Sequence, residues 1–405
     1  MDRRQKNVII LILSGLAALA PFSIDMYLPA FPTIAKEMGV DIPVIGFSLT
    51  GYFIGISIGQ LIYGPLTDRF GRRKPLLFGL VVYAIAALGC SLATSAEWLI
   101  GMRVLSALGG CVGMVVTRAV VRDLFPVNET AQVFSTMMLV MGVAPIIAPT
   151  VGSFIFTHFG WRVIFYFLMV WSTLMILAVI FFLKESKEAD PLISLKPFAV
   201  VREYRDVITV TQFLLYTLAG SLFLAGMFAY ISGSPFVFMK YFGFTESQYG
   251  WIFGFNAGGL ILGSQINRLL LKKYNSTQII LYAGCAFFVL VVFMLLSYAF
   301  GFVVKEVVLP SVFIYMFLLG ILNPNVSALA LEPFTRFAGS ASALIGAFQM
   351  AIGAFISALV GFLHNGTPLP MISAMSFCAT GGFVCLLYYR YTANKKHHRV
   401  ATASV

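Results

Sequence analysis

What this chain has little of is charge. Only 11% of its 405 residues are Asp, Glu, Lys or Arg, where a soluble domain carries about 25%, and that shortfall excludes an ordinary water-facing fold. Acids are scarcer than bases, 16 against 27, and there are 4 histidines. No His/Asp/Glu cluster or Ser/His pair recurs across the apolar runs. His158, His364, His397 and His398 all fall at run ends or in the tail, which speaks against a membrane-embedded enzyme or receptor. The five cysteines, Cys90, Cys111, Cys285, Cys378 and Cys385, are odd in number and lack CxxC spacing. They read as free packing thiols rather than disulfides or metal ligands. A P-loop and a dinucleotide fingerprint are missing too.

What is present is apolar sequence, 60% of the chain, in runs that recur about every 30 residues and approach the roughly 20 needed to cross a bilayer. The expected fold class is an all-α polytopic membrane protein with twelve spans, near 8–33, 44–64, 75–94, 97–118, 131–156, 163–183, 208–238, 248–267, 278–300, 309–331, 339–363 and 370–391. The basic start, Met1 to Lys6, is followed by an apolar stretch without a small-residue cleavage site, so no cleavable signal is expected. An even count puts both termini on one side. Twenty-one of the 27 basic residues fall on that side and four, Lys36, Arg162, Lys240 and Lys305, on the other. The excess makes the terminal side cytoplasmic. The net charge of +11 then reads as topology and contact with anionic lipid, not as nucleic-acid binding.

The longest polar stretch, Lys184 to Asp206, follows the sixth run. It divides the chain into a six-span half at 1–183, a linker at 184–207, a second half at 208–391 and a tail at 392–405. Within the linker, Phe198 to Tyr204 has the pattern of a short amphipathic helix. Repeated halves are a common transporter plan, with the substrate site between them.

Asp25 is the one acid deep in a span, flanked by Pro21 and Pro29. A carboxylate in lipid is costly unless it faces protein, water or a cation, and the prolines loosen the helix around it. A lone carboxyl so placed can take a proton on one side of the membrane and release it on the other. Arg103 and Arg118 lie in the fourth run. Each either faces the interior or reaches to an interface, Arg103 from six residues past Glu97 and Arg118 from four residues before Arg122. With Asp25 they are the candidate proton-coupling residues. Candidates for a roomy, mostly apolar cavity are Tyr27, Tyr52, Phe53, Met114, Met137, Met138, Met141, Phe228, Tyr230, Phe255, Asn256, Asn323, Asn325 and Gln349. Aromatic and Met side chains adapt to varied shapes, and amides in a span seek partners.

The loop between the second and third runs reads Gly64-Pro65-Leu66-Thr67-Asp68-Arg69-Phe70-Gly71-Arg72-Arg73-Lys74. Gly64 permits close helix approach and Gly71 a turn at positive φ. Asp68 is expected to face the positive N-terminus of a neighbouring helix, and Arg72 to pair with an acid at another helix end, Asp123 being the candidate. The string resembles the signature of the major facilitator superfamily, and Arg69 and Arg73 complete this gating loop.

Two further strings narrow the resemblance. Gly142-Val-Ala-Pro145-Ile-Ile-Ala-Pro149-Thr-Val-Gly152-Ser153 is similar to the antiporter motif of drug–proton antiporters, with Ala148 and Ser153 in place of two glycines. The segment around Asp25 and Tyr27-Leu28-Pro29 resembles the first-helix motif of the twelve-helix drug-antiporter group. With Gly226 to Phe236 and Ala338 to Ser342, the chain resembles the bicyclomycin/chloramphenicol-resistance transporters nearly end to end. The resemblance implies two six-helix halves around a central cavity and proton-driven export of hydrophobic or amphiphilic drugs from the bacterial cytoplasm across the inner membrane. It also implies that there is no ATP site and no covalent cofactor; a monomer is the separate expectation. One motif is half kept: Arg103-Val-Leu-Ser106-Ala107 retains the arginine of the usual Arg-x-x-Gln-Gly, and the resemblance implies that Arg103 tunes the proton affinity of a nearby acid. The motifs speak to coupling and gating more than to cargo, so a proton-coupled carrier of an amino acid, peptide or sugar is the alternative.

Overall fold

The computed structural model describes residues 3–125, 143–144, 147–190, 197–334 and 338–403. Within them the chain is helical and no strand occurs. The helices are α1 (Arg3–Asp25), α2 (Phe31–Met38), α3 (Ile42–Phe70), α4 (Arg73–Ser91), α5 (Ala96–Leu124), α6 (Ile147–Phe159) and α7 (Arg162–Phe182). They are followed by α8 (Pro197–Ile208), α9 (Thr211–Ser234), α10 (Glu246–Leu270), α11 (Ser276–Ala299), α12 (Lys305–Leu331), α13 (Ala338–Phe362) and α14 (Leu369–Ala403). Ten stretches among the described residues are long and apolar enough to cross a membrane. The expected fifth span is described only as α6. The expected eighth is α10, which is 25 residues long and more polar than the others because it carries Glu246, Gln248, Asn256, Gln265, Asn267 and Arg268.

Helix contacts fall into two sets. The helices up to α7 pack on one another through α3–α5, α4–α5 and α4–α7; those from α9 onward pack through α9–α14, α9–α13 and α10–α12. Between the sets the most extensive packing is α3 against α13. Along it the rings of Phe47 and Phe362 lie 4.8 Å apart, and beside it Phe53 of α3 meets Phe228 of α9 with ring centres 4.3 Å apart. Thr50 Oγ1 donates to Ser357 Oγ at 3.2 Å and Ser57 Oγ to the Ala347 carbonyl at 2.9 Å. Without a hydrophobic drive between helices in lipid, such close packing and hydrogen bonds hold the helices together. The linker does carry a helix, α8, whose Tyr204 hydroxyl donates to the Leu61 carbonyl at 3.4 Å.

Candidate functional site

The first span breaks at its acid. Pro21 lies inside α1 and removes one backbone donor. The helix ends at Asp25, and after the turn at Met26–Tyr27 a 3₁₀ turn (Leu28–Ala30) leads into α2. Pro29 occupies the opening positions of that turn and Pro32 those of α2, where a missing N–H costs least.

Ser23 anchors the broken end. Its hydroxyl donates to the Leu19 carbonyl at 2.6 Å, so the Tyr83 hydroxyl in α4 must donate to it. Arg103 Nη2, from α5, donates to the Ser23 carbonyl at 2.7 Å. That carbonyl is one of the last in α1, where acceptors lack helical partners and the helix dipole is negative. The guanidinium lies 4.6 Å from the Tyr27 ring centre and 4.1 Å from that of Tyr52, and the residue is 1% exposed. Arg103 is therefore interior and does not reach for the surface. Its bonds go to the helix end and two ring faces, and it forms no ion pair with Asp25 among the described residues. The Tyr27 hydroxyl donates to Ser48 Oγ at 2.9 Å, since Ser48 itself donates to the Ile45 carbonyl.

Asp25 is 4% exposed, and its Oδ1 has no hydrogen-bond partner. The side chain lies within electrostatic reach of Tyr230 in α9 and Tyr249 in α10, both across the boundary between the helix sets. Tyr230 accepts from Asn256 Nδ2 at 3.1 Å and its ring stacks on Phe253 at 5.5 Å. The Tyr249 hydroxyl lies 2.8 Å from Ser234 Oγ. Asn256 Oδ1, like Asp25 Oδ1, is buried and unpartnered. Gly152 of α6 backs directly on the Met26 carbonyl, where any Cβ would collide. The antiporter-like string thus packs on the α1 break. Pro149 in the same string lies against Gly250 of α10, its carbonyl 3.3 Å from the position a Cβ would take there. Gly142 and Pro145 lie outside the described residues.

Among the cavity candidates, Tyr27, Tyr52, Phe53, Phe228, Tyr230 and Asn256 are buried, and Met114, Asn323 and Gln349 half-buried. Two differ from expectation. Phe255 is 61% exposed and stacks on Phe313 at 4.6 Å, so it is not a buried lining residue. Asn325 Nδ2 bonds Asn267 Oδ1 at 2.6 Å and the Ile321 carbonyl at 2.8 Å, which makes it a helix-to-helix clasp inside the second set. Met137, Met138 and Met141, and the side chain of Arg118, lie outside the described residues.

The loop after α3 builds a charged cluster. Gly71 has φ +82°, which favours glycine. Arg72 Nε donates to Asp123 at 2.9 Å and its Nη1 to Asp68 at 2.8 Å. Lys187 Nζ reaches Asp68 at 3.2 Å, and Ser186 Oγ reaches Asp123 at 3.0 Å. The carboxylate on the helix N-terminus is not Asp68 but Glu185, which accepts from the backbone N–H of Arg72 at 2.6 Å and of Arg73 at 3.1 Å, where α4 begins. Arg73 Nη2 donates to the Ile180 carbonyl at 2.6 Å, and Arg69 lies over the Phe70 ring at 5.8 Å. Gly64 makes no tight approach: its nearest neighbour is the Tyr204 hydroxyl, 3.9 Å from where a Cβ would sit. Sequence reasoning missed Glu185, Ser186 and Lys187. The available signal was that a carboxylate directly after the sixth span falls at the same bundle end as the start of α4.

Comparison with known proteins agrees with this architecture. The family model of the Major Facilitator Superfamily matches residues 13–358. An uncharacterized MFS-type transporter, YdgK of Bacillus subtilis, is 33% identical over 382 residues, 94% of each chain. A bicyclomycin resistance protein homolog of Haemophilus influenzae is 30% identical over 405 residues, 98% of this chain and 99% of that one. The crystal structure of a POT family transporter superposes with a TM-score of 0.75 at 14% identity, covering 96% of both chains. The chain belongs to the major facilitator superfamily and is a transporter rather than an enzyme.

Proposed function

We propose that this chain is a drug–proton antiporter that exports small hydrophobic or amphiphilic compounds by alternating access across a bacterial inner membrane, with both termini in the cytoplasm and no bound cofactor. The observation that carries the reading is the buried carboxyl of Asp25 at the break in α1, its Oδ1 without a hydrogen-bond partner, within electrostatic reach of Tyr230 and Tyr249 of the other helix set. A group that must exchange protons with both sides of a membrane belongs where two moving bodies meet. The name of the bicyclomycin-resistance relative supports a drug as cargo, and the bias of basic residues toward the terminal side supports the orientation. In this reading the moving bodies are residues 1–183 and 208–391, joined by 184–207, and the chain acts as a monomer. Arg72, Asp68, Asp123 and Glu185 form the latch of the cytoplasmic end.

The test is transport into everted vesicles. Acidifying the interior drives drug uptake, and adding drug releases protons. Uptake that survives a protonophore but requires ATP overturns the reading; proton release evoked by an amino acid, peptide or sugar instead of a drug reassigns the cargo.

A further inference from the structure

A proline near the end of α3 leaves an acceptor open. Pro65 lies inside the helix and has no N–H, so the Leu61 carbonyl four residues earlier loses its helical donor. The donor it finds comes from the linker: the Tyr204 hydroxyl of α8, at 3.4 Å. Gly64 leaves that hydroxyl its room, since it passes 3.9 Å from where a Cβ on Gly64 would lie.

α8 itself is held by the second helix set. Only Thr209 and Val210 separate it from α9, and their N–H groups donate back to the Arg205 carbonyl at 3.0 Å and the Val207 carbonyl at 3.2 Å. Val207 is fully buried, and α8 packs on α13 as well as on α9. The Tyr204 bond therefore runs from a helix carried by the second set to a carbonyl of the first. Just before it along α3 the sets also meet directly. Ser57 Oγ donates to the Ala347 carbonyl at 2.9 Å, and the Gln60 side chain fills the space that a Cβ on Gly346 would take. The start of the linker, by contrast, belongs to the first set, where Glu185 accepts from the N–H groups of Arg72 and Arg73.

We propose that α8 is a strap across the Arg72 end of the bundle and that Tyr204 is its fastening: the hydroxyl holds α3 to the second set while this end is closed and releases it when the end opens. The inference rests on the alternating-access reading above. Opening at this end draws α3 away from α13, and α8, fixed to α9 and α13, stays behind. The Leu61 carbonyl and the Tyr204 hydroxyl then exchange each other for water, a difference small enough to permit opening yet large enough to bias the two states. The proline is what makes the fastening possible, because a residue with an N–H at position 65 would satisfy the carbonyl within α3. The bond carries no net charge, so salt that screens the Arg72 cluster leaves it in place.

Spin labels at Lys74→Cys and Lys272→Cys, exposed and at the same bundle end in the first and second sets, report the opening as a distance when the five native cysteines are replaced. Tyr204→Phe keeps the ring and deletes the bond. The ratio of separated to closed populations is expected to rise about two- to tenfold, as for the loss of one neutral hydrogen bond. Pro65→Ala supplies the Leu61 carbonyl with a donor inside α3 and raises the ratio in the same direction. Adding Tyr204→Phe to Pro65→Ala then changes it by less than about twofold, because the fastening is already undone. Parental ratios in either single variant, or effects of the two substitutions that multiply in full, overturn the proposal. The distances need neither drug nor proton gradient, so a failed transport assay retires the antiport reading without being confused with a failed strap.

Discussion

Replacing Arg103 by Met asks whether the buried guanidinium holds a backbone or tunes a carboxylate. Its bond to the Ser23 carbonyl, 2.7 Å long and charge-assisted, contributes about 1.5–3 kcal/mol. The two tyrosine faces add about 1–2 kcal/mol each in a desolvated setting. Against this stands the cost of keeping a guanidinium from water, several kcal/mol. Met has similar reach and no charge, so these terms nearly cancel. What remains is about 1–3 kcal/mol for a helix-end carbonyl left without its donor. Thermal unfolding in detergent should fall by that amount. Transport should weaken because the α1 break is no longer pinned. The pH midpoint of drug-evoked proton release should move by less than about half a unit, since one unit corresponds to 1.36 kcal/mol of direct interaction with the titrating group. A rise of a full unit or more would show that Arg103 acts on the Asp25 carboxyl itself, as the span-four motif implies.

Three further outcomes follow from the same geometry. Asp25→Asn should abolish uphill efflux and drug-evoked proton release while unfolding at the parental temperature or above, because it replaces a buried oxygen that has no partner; normal uphill efflux would move the coupling role elsewhere. Arg72→Ala and Asp123→Ala should each slow transport, and the double variant should be little worse than either, with a coupling energy of about 1–3 kcal/mol for charges bonded at 2.9 Å; fully additive losses would show that the two act separately. Gly152→Val should cost more than about 3 kcal/mol, seen as lost expression or a lowered unfolding temperature, because the Met26 carbonyl fills the space of even a Cβ; a variant of parental stability would place α6 farther from the break.

Some of this was legible in the residues because the causes are local. Proline at positions 21 and 29 forces a break, and α1 stops at Asp25 between them. Arg72 and Asp123 sit at helix ends that topology puts on one face, and they pair. Other features depend on helix rotation, which an all-apolar sequence does not encode. Phe255 and Asn256 are neighbours about 100° apart around α10, and only Asn256 turns inward. With both faces apolar, nothing in the pattern marks which one meets lipid. The surroundings of Arg103 depend on contacts reaching from position 103 back to 23, 27 and 52. No local spacing reveals that its carbonyl partner lies two residues before the acid rather than on it.

That two-residue offset has a mechanical consequence. Tyr83, Arg103 and Gly152 all fix the end of α1 from within the first helix set, through Ser23 and Met26. The Asp25 carboxyl hangs from this fixed point, within electrostatic reach of Tyr230 and Tyr249 of the second set. When the sets move relative to one another, the backbone of the acid stays where it is and only the groups opposite it change. Proton affinity then becomes a function of conformation, because a carboxyl's affinity depends on the dipoles and water that face it. By linkage, the proton must bias the conformation by the same free energy. A carboxyl on a mobile segment would instead follow its partners and keep one environment throughout. In the antiport reading proposed above, the rigidity of the break is what would make the buried acid useful for coupling, and loosening it at Ser23 should uncouple proton from drug before it abolishes either one's binding.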